Sequence, residues 1–395
     1  MKQKLFLYKV SCCDKFYKEN FFCGIFSIQF DLLQAKVFYK FLNTTLVERT
    51  FRRGFSCYKL FRFIKFKRSL QHTRNFLMKA LIEYVKNQTF QRDFQLINFI
   101  TRLGETYLQL HHFEEYFQNK NIKNPIFISQ FRNLASVCNM FFPNIKFIAI
   151  PPVFFEMVFS ETDFYEFKGY RYFLPITLKH LINVEEQANN NCKVLFYNEL
   201  KKTLGVNSDI IRQPKISQKE QTKSIQIVKQ LRLEKKLVYI IPDAQSNSSM
   251  SLNFWETLCC LLKENYNFDV FLNTKPIGMK NQYKHKPLTI EQVKNIALKA
   301  DIIIGIRCGL MDIVANNNSS IFAIYQPFNN RAPEFPYLSA EKVLTTFSLK
   351  QLPNINNKHI YEYNAEIHSE EHILNEILNV ISNKYEGEKH EFNKN

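Results

Sequence analysis

Three short segments hold residues whose types and spacing could do chemistry. The first is Thr101-Arg102-Leu103-Gly104-Glu105-Thr106, where a glycine and a carboxylate follow the apolar run FQLINFI. A glutamate in the first turn of a helix can take a proton from a hydroxyl nucleophile. It can equally be a helix-start acid favoured by the dipole. The second segment, IIPDAQSNSSMSLNFWETL, places Ser246, Asn247 and Ser249 in a polar loop between a run ending at Ile241 and a helical pattern containing Trp255. Such a loop could surround a phosphate or a sugar, although Asn and Ser also fill ordinary loops. In the third, DIIIGIRCGLMDIVANNN, a β-branched run ending at Gly305 gives way to Arg307, Cys308, Gly309 and Leu310, and then to helical spacing through Asp312. Arginine offers a planar fork of five donors, glycine admits a close backbone, and the free amides of a helix start favour an anion. The competing reading has Gly309 easing a tight turn and Arg307 pairing with a carboxylate such as Asp312. His111 and His112 read as packing or surface residues. Neither a Gly-x-Gly-x-x-Gly nor a P-loop pattern occurs.

These segments need strands and helices to hold them. From residue 93 onward short apolar runs alternate with amphipathic segments, the signature of a parallel α/β sheet. Strands are predicted at Phe94–Ile100, Pro125–Ser129 and Ile145–Ile150, with helices at Leu108–Gln118 and Arg132–Phe142. A second series begins near Leu237, with strands LVYII, FDVFL, DIIIG and SIFAIY and helices around 253–264, 290–299 and 309–316. Between the two series, GVNSDIIRQPKISQ (205–218) has the composition of an interdomain connection. The expected organisation is a basic, aromatic-rich region over 1–92, a Rossmann-like domain over 93–216, a second Rossmann-like domain with a terminal helix over 217–385, and a disordered tail over 386–395. In the terminal helix Ser369 is placed to cap, and Ile373, Ile377, Val380 and Ile381 share a face. In the basic region Lys4–Val10 and Phe21–Phe30 have strand character, and Ser69–Lys86 has helical spacing.

In an open parallel sheet, ligands sit beyond the carboxyl ends of the strands, where all three segments fall. Their order and spacing, together with LFYNELKKTLGV ahead of the connection and SIFAIYQPF after the third segment, resemble the heptosyltransferase-like glycosyltransferases of family 9, over roughly residues 93–383. The resemblance implies the GT-B fold of two Rossmann-like domains and an inverting, metal-independent sugar transfer from a nucleotide-sugar donor to a surface glycan. The donor is a substrate, and no cofactor is implied. Carried over, Glu105 is the base, in an acceptor-side loop with Arg102, Gly104 and Thr106. Ser246, Asn247, Ser249, Arg307, Cys308, Gly309, Leu310 and Asp312 are on the donor side. The chain departs from the family where Asp-Thr-Gly followed by a histidine is usual, where a loop lysine is usual, and where the base is usually Asp. The departures leave the donor sugar open, ADP-heptose or another, with Arg307 supplying the charge of the missing lysine.

Charge is uneven. Residues 1–92 hold 19 Lys and Arg against 5 Asp and Glu, a net +14 of the total +17. Within them RTFRRGFSCYKLFRFIKFKR interleaves aromatic rings with Arg49, Arg52, Arg53, Lys59, Arg62, Lys65, Lys67 and Arg68. Rings entering a headgroup boundary beside cations suit an anionic membrane surface; the same mixture can contact nucleic acid, the less favoured partner, or form a solvated face over buried aromatics. The start, MKQKLFLYKV, has too short an apolar run for a secretory signal, and Ile313–Asn330 carries too many asparagines to span a bilayer. The nine cysteines form no Cys-x-x-Cys pair, which suits reduced thiols. The expectation is a cytoplasmic enzyme, peripheral on the inner face of the membrane, adding sugars to a lipid-linked, lipopolysaccharide or capsular glycan. A noncatalytic nucleotide- or glycan-binding protein of the same fold is the alternative, and a basic RNA-binding protein a weaker one.

Overall fold

A computed structural model describes residues 18–23, 26–31, 36–41, 44–50, 67–150, 164–208, 211–230, 235–244, 249–280, 282–328, 336–352 and 355–392. The chain divides into two compact units. One comprises Met1–Ile100, Asn121–Ala135 and Asn144–His180; the other comprises Thr101–Lys120, Ser136–Pro143 and Leu181–Asn395. The division interleaves the chain, whereas the sequence suggests a single boundary at 216.

In the first unit, β1 (Lys18–Cys23), β2 (Phe26–Asp31), β3 (Lys36–Phe41) and β4 (Thr44–Thr50) form an antiparallel meander. The stretch Phe21–Phe30 thus falls on two strands, and Lys4–Val10 lies outside the described residues. Helix α1 (Lys67–Thr89) buries Met78, Leu81, Ile82 and Val85, one stripe at helical spacing. The second sheet of this unit contains β5 (Gln95–Asn98), β6 (Pro125–Ser129), β7 (Phe147–Ala149), β8 (Phe164–Phe167) and β9 (Tyr170–Phe173). Its order is β7-β6-β5-β9-β8, parallel except for the β8–β9 hairpin. Lys168 and Gly169 turn that hairpin, both at positive φ.

The helical part of the second unit begins with α2 (Leu103–Leu110) and α3 (Phe113–Asn119). The single helix expected over 108–118 is therefore two, broken at His111 and His112, and it starts earlier. Helices α4 (Leu134–Phe141), α5 (Leu178–Asn189) and α6 (Phe196–Leu204) follow. Gly205 closes α6 at φ +65, where its amide and that of Val206 bond back to Lys202 and Lys201. Helix α7 (Gln218–Gln230) leads into a six-stranded sheet. Its strands are β10 (Leu237–Ile241), β11 (Asp269–Leu272), β12 (Lys284–His285), β13 (Ile302–Ile306), β14 (Ser320–Tyr325) and β15 (Ile360–Asn364). All pairings are parallel and the order is β12-β11-β10-β13-β14-β15.

A parallel sheet covered on both faces explains why these strands are continuously apolar rather than alternating. Tyr239, Ile241, Ile303, Ala323 and Tyr325 pack on one face with α9 (Ile290–Ala297), α10 (Gly309–Val314) and α11 (Ala340–Phe347). Val238, Ile240, Ile304, Ile306 and Phe322 pack on the other with α8 (Leu252–Glu264) and α12 (Glu370–Phe392), through Phe254, Trp255, Leu258, Ile373, Ile377 and Ile381. Burying a side chain of this kind contributes about 1.5–3 kcal/mol. Ser369 caps α12, its Oγ accepting from His372 N at 3.2 Å. That helix continues through Phe392, which corrects the disordered tail expected from 386. The two parallel α/β sheets are the fold class expected from the alternating pattern.

Candidate functional site

The strand order reverses between β10 and β13, both parallel and adjacent at the centre of the sheet. That is the topological switch point, where the loops leaving the carboxyl ends of two neighbouring strands diverge to opposite faces and leave a crevice. The loops concerned follow Ile241 and Ile306, so they are the second and third segments singled out in the sequence. Gly305 does not end β13 but lies within it, where a Cβ would stand 2.7 Å from Ile241 O and 2.8 Å from Ile241 Cβ. The glycine is needed for strand packing.

At the end of β13, Arg307 N donates to Ile324 O at 2.8 Å, so pairing with β14 holds the backbone one residue further. The Arg307 side chain is buried and turned inward. Its Nε donates to Phe347 O at 2.9 Å, and its Nη1 to Cys308 O at 2.8 Å and to Asp312 Oδ2 at 3.2 Å. Its Nη2 donates to Asp312 Oδ1 at 2.6 Å. The fork expected to face an anion is closed on a carboxylate one turn along α10, a bidentate pair that fixes both side chains. This corrects the donor-side placement of Arg307 and Asp312: both are committed to each other. Burial pushes the Asp312 carboxyl up to about 6; Arg307 opposes the shift and Glu105 adds to it.

Cys308, Gly309 and Leu310 are half-buried and form the amino end of α10, with Cys308 extended as the N-cap residue. Gly309 meets the protein rather than open space. A Cβ there would lie 2.5 Å from Gly104 N and 3.0 Å from Gly104 Cα. Reciprocally, a Cβ on Gly104 would lie 2.3 Å from Asp312 Oδ2 and 2.9 Å from Gly309 Cα. The first turns of α2 and α10 therefore cross with backbone against backbone, and the two glycines make that approach possible. This is the geometry the sequence left unread: each glycine is visible alone, but nothing local says that one faces the other.

Glu105 follows Gly104 in the first turn of α2 and is half-buried. Its charge reaches Asp312. Thr106, expected on the acceptor side, is instead fully buried, its Oγ1 2.9 Å from Thr101 Oγ1. Gln109 Nε2 donates to the same Thr101 hydroxyl at 2.8 Å. These bonds lock the entry into α2 and commit the Thr106 hydroxyl to Thr101. Arg102 is exposed at the N-cap. In the second segment Ser249 is exposed, whereas Ser246 and Asn247 lie outside the described residues. Ser251 caps α8, its Oγ accepting from Phe254 N at 3.1 Å.

Both histidines are buried. His111 Nδ1 donates to Arg212 O at 2.8 Å, and burial drives its pKa down to about 3, leaving the ring neutral. His112 Nε2 bonds the Tyr197 hydroxyl. His111 thus joins the end of α2 to the 205–218 connection and His112 joins it to α6; Lys215 N→Met140 O at 2.7 Å and Ser217 Oγ→Glu291 Oε2 at 2.9 Å further anchor the connection. That segment packs against its unit instead of hanging as a linker. Among the described residues no three His, Cys, Asp or Glu side chains cluster as a metal site, and no helix is long and apolar enough to cross a membrane. Of the basic surface residues, Arg49 is in β4 and Lys67 and Arg68 open α1; Arg52, Arg53, Lys59, Arg62 and Lys65 lie outside the described residues.

No protein-family model and no curated protein matches the sequence. Among solved structures, the chain is similar to a glycosyl transferase of family 9 from Veillonella parvula DSM 2008, at 11% identity over 71% of this chain and 95% of that one, TM-score 0.40. It is similar to the E. coli ADP-heptose lps heptosyltransferase II at 10% identity, covering 74% and 99% of the two chains, TM-score 0.42. A third likeness, at 12% identity over 88% and 82%, TM-score 0.42, is to the iron-containing dodecameric glycosyltransferase TibC from enterotoxigenic E. coli H10407.

Proposed function

We propose that this protein is a glycosyltransferase that moves a sugar from a nucleotide-sugar donor to a lipopolysaccharide or capsular glycan acceptor, with inversion and without a metal. The observation that carries the reading is the switch point between β10 and β13. The half-buried amino end of α10 lies at the carboxyl end of β13, and Gly309 holds it against the turn that carries Glu105. The donor diphosphate lies across the loops after Ile241 and Ile306, bound by backbone amides of Cys308–Leu310 and by the polar loop that includes Ser249. Arg307 acts behind this surface as a positioning residue, holding Asp312 and the first turn of α10. Glu105 takes the proton from the acceptor hydroxyl as the sugar is transferred, and the leaving nucleoside diphosphate carries away the negative charge.

In this reading the basic, aromatic-rich residues 49–68 hold the enzyme on the inner face of the cytoplasmic membrane, where a lipid-linked acceptor is found. The support is their charge and aromatic content. A thermal-shift screen against nucleotide sugars tests the donor assignment: at least one should raise the melting temperature in a saturable way, as ligand linkage requires. No shift with any nucleotide or nucleotide sugar would remove the donor site from the account.

A further inference from the structure

A partly open cavity of about 200 Å³ lies within the second unit, lined by Tyr107, His111, Lys294, Asp312 and Asn317, with the apolar side chains of Leu298 and Leu352 at its edge. A single water needs only about 10–15 Å³ of such space, so the cavity has room for a small organic molecule. Its walls run from Asp312 in α10 to Asn316 and Asn317, which follow that helix and precede β14 at Ser320. Glu105, Ser249 and Cys308–Leu310 are not among the residues that line it.

Two polar groups on its wall lack something: Asn317 a hydrogen-bond partner and Lys294 a countercharge. Asn317 is 3% exposed, and among the described residues neither its Oδ1 nor its Nδ2 has a hydrogen-bond partner. Buried amides are rarely left so, because desolvation without a partner is costly. Lys294 Nζ donates to Ile313 O at 3.0 Å and lies 3.5 Å from the Tyr107 hydroxyl. No carboxylate stands within ion-pair distance of it among the described residues. Asp312, the nearest acid on the wall, is already neutralised by Arg307. Burial of this uncompensated ammonium lowers its pKa to about 8. The cavity thus presents one unmatched cation, one unmatched amide and an apolar wall.

We propose that this cavity is a binding site for a small organic oxyanion with a compact apolar body, its anionic oxygens on Lys294 and Asn317 and its body against Leu298 and Leu352. A bound oxyanion would supply both the missing countercharge and the missing acceptor for the Asn317 amide. The cavity shares Asp312 with the first turn of α10 but contains neither Glu105 nor the amides assigned to the donor, and would hold an effector.

The test uses the full chain and benzoate as probe, with inorganic phosphate as an oxyanion lacking an apolar body and benzylamine as the opposite charge. Calorimetry should show saturable benzoate binding, weaker phosphate binding and none for benzylamine. Lys294→Met should weaken benzoate at least about tenfold, whereas Lys294→Arg should retain it. Lys294→Met is expected to fold, because replacing an unpaired buried cation with an apolar chain of similar length relieves desolvation; Asn317→Leu gives a second, independent loss. Absence of saturable benzoate binding at millimolar concentrations would overturn the proposal. So would binding that both variants leave unchanged, or equal binding of benzylamine.

Discussion

Among single residues, Arg307 is the one whose commitment most constrains the site. Its guanidinium is spent on Asp312 and on two backbone carbonyls. Arg307→Met should therefore strand a buried carboxylate and destabilise the fold by about 3–5 kcal/mol, the usual cost of removing one partner of a buried pair. Adding Asp312→Leu should recover most of that loss, and urea unfolding of the two single variants and the double variant reads the coupling directly. A direct phosphate ligand would behave differently, weakening donor binding with little change in stability. His111 gives a pH prediction. Its folded pKa, about 3, lies below the ordinary value of 6.5, so the unfolded chain takes up the proton first. Stability from the neutral, buried ring is fully present above pH 6.5 and is lost as pH falls towards 3. Replacing His111 with Gln should flatten the fall in urea midpoint between pH 6.5 and pH 4; an unchanged slope would assign it to other groups.

At the scale of elements, the crossing of α2 and α10 is the feature that joins sequence to site. Gly309→Ala places a methyl group 2.5 Å from Gly104 N. Overpacking of this kind costs about 1–3 kcal/mol, and here it also pushes apart the two first turns. Transfer should fall more than stability does, measured as kcat alongside the unfolding midpoint. Four strands and three helices of the second unit were legible because their signals are local: LVYII and SIFAIY are runs only a doubly covered sheet accommodates, whereas α11 and β15 were not read from the sequence. The break at His111 and His112 was not legible, because it answers to Arg212 and Tyr197, about a hundred residues away in sequence. In isolation Arg307 read more readily as a partner of Asp312, five residues on, and as an anion fork only through the family resemblance. Lys294 and Asn317 gave no signal at all, since each is ordinary on its own helix or turn and unusual only in what surrounds it.

At the scale of the whole molecule, two features of the proposal meet: a basic amino-terminal region with net charge +14 over residues 1–92, and a six-stranded parallel sheet with a central switch point. If the first serves membrane attachment, the full chain should sediment with vesicles containing anionic lipid and be released as salt rises, because each basic residue near the surface contributes about 1 kcal/mol that screening removes. Equal binding to neutral vesicles, or none to anionic ones, would contradict that part. The central claim is that the switch point carries a nucleotide sugar past Glu105. The most direct measurement is release of nucleoside diphosphate from nucleotide sugars in the presence of a lipid-linked glycan, compared between the natural chain and Glu105→Gln. The account predicts release by the natural chain and a loss of about a hundredfold or more in kcat in the variant, with the thermal shift by donor retained. Equal release by the two proteins, or none by the natural chain from any nucleotide sugar, would contradict it.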